Sequence, residues 1–386
     1  MSLLPTSIDD PVNAAILKVA EDQLQGFQPD PLGLIAERSG LDAAVVAERL
    51  RAMLEAGVVR RVRQTLLTTS LAPGALVAWK VPPTKLTAAF EFMSKQDPFS
   101  GHVVTRTTDG DTPGSHYRLW TTVKTPVGYR LDKHCALLAE RTGAEAWRPL
   151  PAKKLFALGV GHMRRRDIEP GTRTDEPGRV IDTHVVPLDA PQWRVVCALK
   201  REFPAEELQP GEALWQARAE EAGLSLGAFF DAARELESLG LMGRFSAFLE
   251  HVKPDAGGAR VTRFNALFHW KVPAGREIEA GQEVGRHHCM THAYWREGGP
   301  EFAHVNVMGV AHGLEKPRVL EHKAAIDAHL EEAGIAVEYT NVFWGGRSEI
   351  KPSEVVPAAY AEWCRSVGVD PESMRDDAAA PVSARA

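Results

Sequence analysis

The sequence predicts an α+β protein built as a tandem duplication, each half a winged helix-turn-helix followed by a ferredoxin-like βαββαβ domain. The first observation is a repeat at an offset of roughly 190 residues: Ala78-Trp79-Lys80-Val81-Pro82 returns as His269-Trp270-Lys271-Val272-Pro273. Upstream, Gly57-Val58-Val59-Arg60-Arg61-Val62 answers to Gly240-Leu241-Met242-Gly243-Arg244-Phe245. Downstream, His102 to Arg106 answers to His292 to Arg296, so the register holds across a domain-sized unit. The second observation is a helix-turn-helix break in each half, at Ser39-Gly40-Leu41-Asp42 and at Glu221-Ala222-Gly223-Leu224-Ser225. The third is that strand-like and helix-like periods then alternate in βαββαβ order.

In chain order, apolar periodicity places helices at 12–19, 32–38 and 43–55, stopped by Gly57, with an alternating wing strand at 58–68. Strands follow near 75–82, 101–108, 115–124 and 145–155, with helices near 86–96 and 128–142. The second winged unit occupies 190–250. Its ferredoxin-like strands fall near 264–272, 290–297, 302–311 and 336–344, with helices near 277–287 and 316–333. The division is thus 1–70 winged helix-turn-helix, 71–163 ferredoxin-like, 164–187 linker, 188–252 winged helix-turn-helix, 253–365 ferredoxin-like and 366–386 mobile tail. Trp79 and Trp270, on equivalent strands, read as core.

With 386 residues, 44% hydrophobic composition and a formal charge of -6, the chain is a globular protein without the basic excess of a dedicated nucleic-acid binder. Four cysteines without CxxC spacing read as reduced thiols, and neither a leader nor an apolar span is visible, so a cytoplasmic location without membrane contact is expected. A duplicated chain builds for itself the two-fold interface that other proteins reach by dimerising. An internal pseudo-dimer is therefore expected, with a further homodimer left open.

The helix-turn-helix plus βαββαβ layout resembles the Lrp/AsnC regulators, and the second half is similar to a narrower group, the siroheme decarboxylases. The residues that carry this are Arg244-Phe245-Ser246-Ala247 with His251, Asn265 before His269-Trp270-Lys271-Val272-Pro273, Thr291-His292-Ala293-Tyr294-Trp295-Arg296, and His304-Val305-Asn306-Val307-Met308-Gly309-Val310-Ala311-His312-Gly313. The first half matches more loosely, with Lys124 where the second has His312 and Thr68 where it has His251. The chain looks like two unequal subunits fused. Thr291, Ala293 and Gly243 depart from the family pattern.

The resemblance implies removal of CO2 from two acetates of siroheme, giving didecarboxysiroheme in alternative heme or heme d1 biosynthesis, with no cofactor beyond the iron tetrapyrrole substrate. Such a task needs forked, permanently charged arginines for the carboxylates and histidines near neutrality for protons or iron. The candidates are His292 and His312 for catalysis, His292 also as an axial ligand to the substrate iron, and Arg244, Arg296, His251, Arg106, His102, Arg61, Arg118 and Tyr294 for binding. His292 and His312 fall on strands that would neighbour each other about 4.8 Å apart. Competing readings are a tetrapyrrole sensor without turnover and a transcription regulator. DNA binding is not expected, because Leu226 to Glu237, in the recognition position, is apolar and acidic. A metal site from His287, His288, Cys289 and His292 is a further rival, weakened because strand neighbours point to opposite faces.

Overall fold

The computed structural model describes residues 4–159, 161–250, 253–254, 258 and 260–375. Helix α1 (Pro11–Ala20) starts where the Asp10 carboxylate accepts from the Val12 and Asn13 amides, with Pro11 where no amide partner is needed. After β1 (Leu24–Gln25), α2 (Pro31–Ser39) is capped by Asp30 and stops at Gly40, whose φ of 70° favours glycine. Helix α3 (Ala43–Glu55), capped by Asp42, buries Val46, Ala47, Leu50 and Met53. Strand β2 (Val59–Leu66) and the short α4 (Thr68–Leu71) end the unit.

The first βαββαβ run is β3 (Gly74–Lys80), α5 (Leu86–Lys95), β4 (Ser100–Thr107), β5 (Leu119–Lys124), α6 (Leu131–Thr142) and β6 (Ala146–Leu150). Past Pro151 the chain resumes as β7 (Lys154–Leu158), α7 (His162–Arg165) and β8 (Ile181–Asp182). The second winged unit is α8 (Ala190–Leu199), α9 (Gln216–Ala222), α10 (Leu226–Ser238) and β9 (Met242–Leu249). A reciprocal Asp189–Gln192 capping box opens α8, and Ser225 caps α10. The second βαββαβ run is β10 (Phe264–Lys271), α11 (Glu277–Arg286), β11 (Met290–Trp295), β12 (Val307–Gly313), α12 (Lys316–Glu332) and β13 (Tyr339–Ile350), followed by α13 (Pro357–Ser366).

Ten strands form one antiparallel sheet in the order β6-β3-β5-β4-β13-β10-β12-β11-β7-β8. Each half keeps the ferredoxin-like order, fourth strand beside first, third and second. The halves are joined because each passes its last strand to the other. β13 pairs with β10 up to Trp344 and with β4 from Trp344 to Ile350. In the same way β6 pairs with β3 while β7, three residues on, pairs with β11. Phe156 of β7 seats on α11, where Gly281 and Gly285 leave room; a Cβ at Gly281 would stand 2.0 Å from its ring. Alternation along the strands then builds three apolar layers. Ala78, Val104, Trp120, Leu267, Met308 and Phe343 fill the space between the two inner faces. Trp79 and Trp270 point the other way, into the separate cores under α5/α6 and α11/α12.

Several expectations need correction. The two winged units are not separate domains: β2 pairs with β9, and one core runs from Ile16 and Leu50 through Trp215 and Phe245. The strand expected at 115–124 starts only at Leu119, because Tyr117 N donates to Gly114 O and Ser115 to Asp111 in a turn. The strand expected at 302–311 starts at Val307, after a 3-10 turn and the left-handed residues Ala303 and His304. The linker 164–187 is tied down, with Arg164 on Asp22, Gly178 N donating to Gln282 O and Arg286 Nε to Thr174 O. Of the expected mobile tail 366–386, residues up to Arg375 pack on the first half, with Met374 only 5% exposed and Arg130 N bonded to its carbonyl; 376–386 lie outside the described residues. No helix among the described residues is long and apolar enough to cross a membrane.

The C-terminal helix is held by a buried polar chain. Tyr360, packed against Phe99 and Trp363, meets His134 Nδ1 at 3.0 Å, and His134 Nε2 lies 3.5 Å from Asp97. Tyr360→Phe keeps the ring and strands the imidazole nitrogen. We expect a loss of about 1–3 kcal/mol in urea unfolding at unchanged m; an unaltered midpoint would show that the hydroxyl contributes nothing.

Candidate active site

A cavity of about 310 Å³ lies where the wings meet the inner faces of the sheet. Its roof is Arg60 from β2 with Arg244, Ser246 and Phe248 from β9. Its floor is Leu76, His102, Arg106 and Thr122 from the first half, and Asn265, Leu267, His292, Tyr294, Arg296, Met308, Val310 and His312 from the second. Of the residues singled out in the sequence, His292, His312, Arg244, Arg296, Arg106, His102 and Tyr294 therefore converge, while His251 lies outside the described residues.

A β-bulge aims the central histidine. In the β11–β12 ladder Met290 faces Ala311 and His292 faces Val310, so Thr291 is an extra residue. Met290 belongs to the core beneath the helices; without the bulge His292 would share its face. With it, His292, Tyr294 and Arg296 line the cavity in sequence. The His292 and Tyr294 rings lie at 5.9 Å and 14°, and the Arg296 guanidinium sits 4.4 Å over Tyr294. Burial, reinforced by the charges of Arg244, Arg165 and Arg296, pushes His292 down to about 3, so it is neutral at physiological pH. Burial also raises the Tyr294 phenol.

His312 is held by Asn265, whose Nδ2 lies 2.9 Å from its Nε2, and meets His162 edge-to-face at 5.0 Å. The ladders confirm the internal alignment. Trp270 faces Val307 and Asn265 faces His312, as Trp79 faces Leu119 and Gly74 faces Lys124. Lys124 thus stands where the other half has a histidine, and burial pushes it down to about 7.

The arginines form a pseudo-symmetric pair. Arg106 donates to the carbonyl of Phe343 and Arg296 to that of Leu150, each reaching the last strand of the opposite half. Both are buried, at 4% and 8% exposure, and the Nε of each has no hydrogen-bond partner among the described residues. Both residues line the cavity, so the pair brings positive charge to it from both halves. Burial lowers Arg296 and brings Arg106 to about 9, still charged at neutrality.

Two expected binding residues are elsewhere. The β2–β9 ladder shifts between Val59 and Arg61, so the extra residue Arg60 turns to the cavity; Arg61 instead bonds Ile350 O at 2.6 Å and pairs with Glu202. Arg118 precedes β5, and its Nε braces the Arg106 carbonyl at 3.0 Å. The rival metal cluster is dispersed: His287 turns to His329 at 2.8 Å, Cys289 lies in the core under the helices, and His292 faces the cavity.

Sequence reasoning missed a strap. Glu21 and Asp22, after α1, take the Met163 and Gly161 amides at 2.7 and 2.8 Å, and Arg164 and Arg165 close on Asp22. This brings His162 and Glu21 into the lining. A neighbouring cavity of about 490 Å³ shares His162 and His312 and adds Thr291, Arg165, Arg166 and Arg318, so the His162–His312 pair divides a longer cleft. The only signal was the cationic His162 to Arg166 run.

These burials set a pH profile. Glu21 is raised to about 8 by burial, so its stabilising effect is complete below its unfolded value near 4.5 and is lost as pH rises through 8. His269 and His287, buried and lowered to about 3, act oppositely: their unfolded forms take protons first, so stability falls from pH 6.5 downward, by roughly 1 kcal/mol per pH unit each. Urea unfolding across this range should show both limbs, and Glu21→Gln should flatten the alkaline one. A decline there as steep as in the wild type would assign it to another group.

Residues 72–157 match the family described as AsnC-like ligand binding domain. The crystal structure of the siroheme decarboxylase NirDL superposes with a TM-score of 0.62 at 19% identity, covering 93% of this chain and 99% of that one. NirDL in co-complex with an iron-uroporphyrin III analogue gives 0.60 at 18% identity over 92% and 99%. No curated protein matches by sequence. The tandem architecture is thus that of NirDL, while the chemistry rests on this chain's own residues.

Proposed function

We propose that the chain binds a carboxylate-rich iron tetrapyrrole and decarboxylates it, with siroheme as substrate and didecarboxysiroheme as product. The observation that carries this reading is one cavity, at the junction of the halves, into which Arg60, Arg106, Arg244 and Arg296 converge with His102, His162, His292 and His312. Forked cations in a buried, mostly apolar site suit a flat ring bearing several anions. At each reacting acetate the bond from the methylene carbon to the carboxyl carbon breaks and CO2 leaves. Its electron pair stays on the methylene carbon, spreads into the macrocycle and takes up one proton to give a methyl group. The protein's task is to hold the acetate, exclude water and deliver that proton.

The regulator reading is weakened by what the recognition helices do. Arg49 and Arg51 of α3 bond Pro5 O and Leu208 O within the protein, and α10 spends Arg234 on Asp231. Little cationic surface is left for phosphates. The test is anaerobic incubation with siroheme, followed by mass and absorbance of the extracted pigment. Successive losses of the mass of CO2 support the proposal; a shifted absorbance band at unchanged mass would move the weight to a tetrapyrrole sensor.

A further inference from the structure

We infer that Asn265 and Thr291 are positioning residues that hold His312 and His292 as Nδ1–H tautomers, so that His292 acts as an electron-pair donor through Nε2 and not as the acid that protonates the product. The inference deepens the proposed function and rests on it for the role of His292; the tautomers stand independently.

The chain of donors starts in the first half. Arg106 can only donate, and its Nη1 lies 3.2 Å from Asn265 Oδ1, so that oxygen accepts and fixes the amide. The Asn265 NH2 then donates to His312 Nε2, which places the His312 proton on Nδ1. Thr291 closes the argument from the other side. Its single hydroxyl hydrogen goes to Val310 O at 3.0 Å, because a carbonyl can only accept. The hydroxyl oxygen must then accept from the imidazoles around it: His292 Nδ1 at 3.1 Å and His312 Nδ1 at 3.5 Å, the outer limit of such a bond. A neutral His292 that donates through Nδ1 carries its lone pair on Nε2, and the hydrogen bond described for this ring is the one at Nδ1.

An imidazole in this state suits the substrate's iron, or an acidic hydrogen, and has no proton to give from Nε2. The bulge at Thr291 is what makes the arrangement available, since it lets one hydroxyl stand between the two rings. It also explains why a first-half arginine sits at the head of a second-half network: the two halves share one site.

The test uses the ligand-free full chain with 15N-labelled histidine, reading each ring by long-range proton–nitrogen correlation, with His292→Ala and His312→Ala to assign the signals. We expect protonated Nδ1 and bare Nε2 at both. Thr291→Val, which keeps the shape and removes the hydroxyl, should release His292 to a mixed or Nε2–H state, and Thr291→Ser should restore it. Asn265→Asp should reverse His312 to Nε2–H and raise its titration point. An Nε2–H His292 in the wild type, or tautomers indifferent to both substitutions, would overturn the inference. As a second readout, iron(III) uroporphyrin should bind Thr291→Val about 10- to 100-fold more weakly, with a weaker Soret shift. Equal affinity and an equal shift would remove the iron-ligand role. No binding by the wild type would instead sink the proposed function and leave the tautomer result standing.

Discussion

Replacing His292 by alanine should reduce siroheme decarboxylation by at least about 10²- to 10⁴-fold while leaving the fold intact. The ring lines the cavity and stacks on Tyr294, so its removal deletes one ring contact at the cavity wall and little core packing. It gives up one hydrogen bond, to Thr291, worth about 1 kcal/mol. Thermal unfolding should therefore shift by only a few degrees. Product mass over time measures the rate. A variant that turns over siroheme at the wild-type rate would remove His292 from the mechanism.

The second large effect is on binding. Arg296→Met keeps much of the length and volume of the side chain and removes the charge that lies over Tyr294 in the cavity lining. A charge-assisted bond to a carboxylate is worth about 1.5–3 kcal/mol, so affinity for an eight-carboxylate iron porphyrin should fall by roughly 10- to 150-fold. An iron porphyrin with two carboxylates should lose much less. The two titrations separate a lost anion contact from a distorted cavity. Equal losses for both ligands would mean that Arg296 supports shape alone, through its bond to the Leu150 carbonyl.

The sequence showed the duplication, and the ladders bear out its alignment to the residue at Trp79 and Trp270 and at Lys124 and His312. It also showed most of the lining, because identity and spacing within one strand survive folding: His292, Tyr294 and Arg296 share a face by simple alternation. It could not show what depends on partners distant in the chain. The bulges that turn Arg60 inward and insert Thr291 are properties of a pairing with another strand. The break at Pro151, read as one continuous strand, is where the chain leaves the first half's end of the sheet for the second half's. His162 lay at the end of a domain assignment and reaches the cavity only because Glu21 and Asp22, some 140 positions away, hold its backbone.

The exchange of last strands has a consequence for assembly. If the chain were cut between β8 and α8, each piece would keep a βαββαβ order yet expose strands whose partners belong to the other piece, an invitation to aggregate when alone. The winged layer would be divided as well, leaving β2 without β9. Two such polypeptides would be soluble only together, and their stability would depend on concentration. Joining them in one chain replaces that dependence with a fixed local concentration, on the order of millimolar for a short tether. The covalent connection thus acts as a stoichiometry device: one copy of each unequal half, always present in equal number, with no like-with-like pairing to compete.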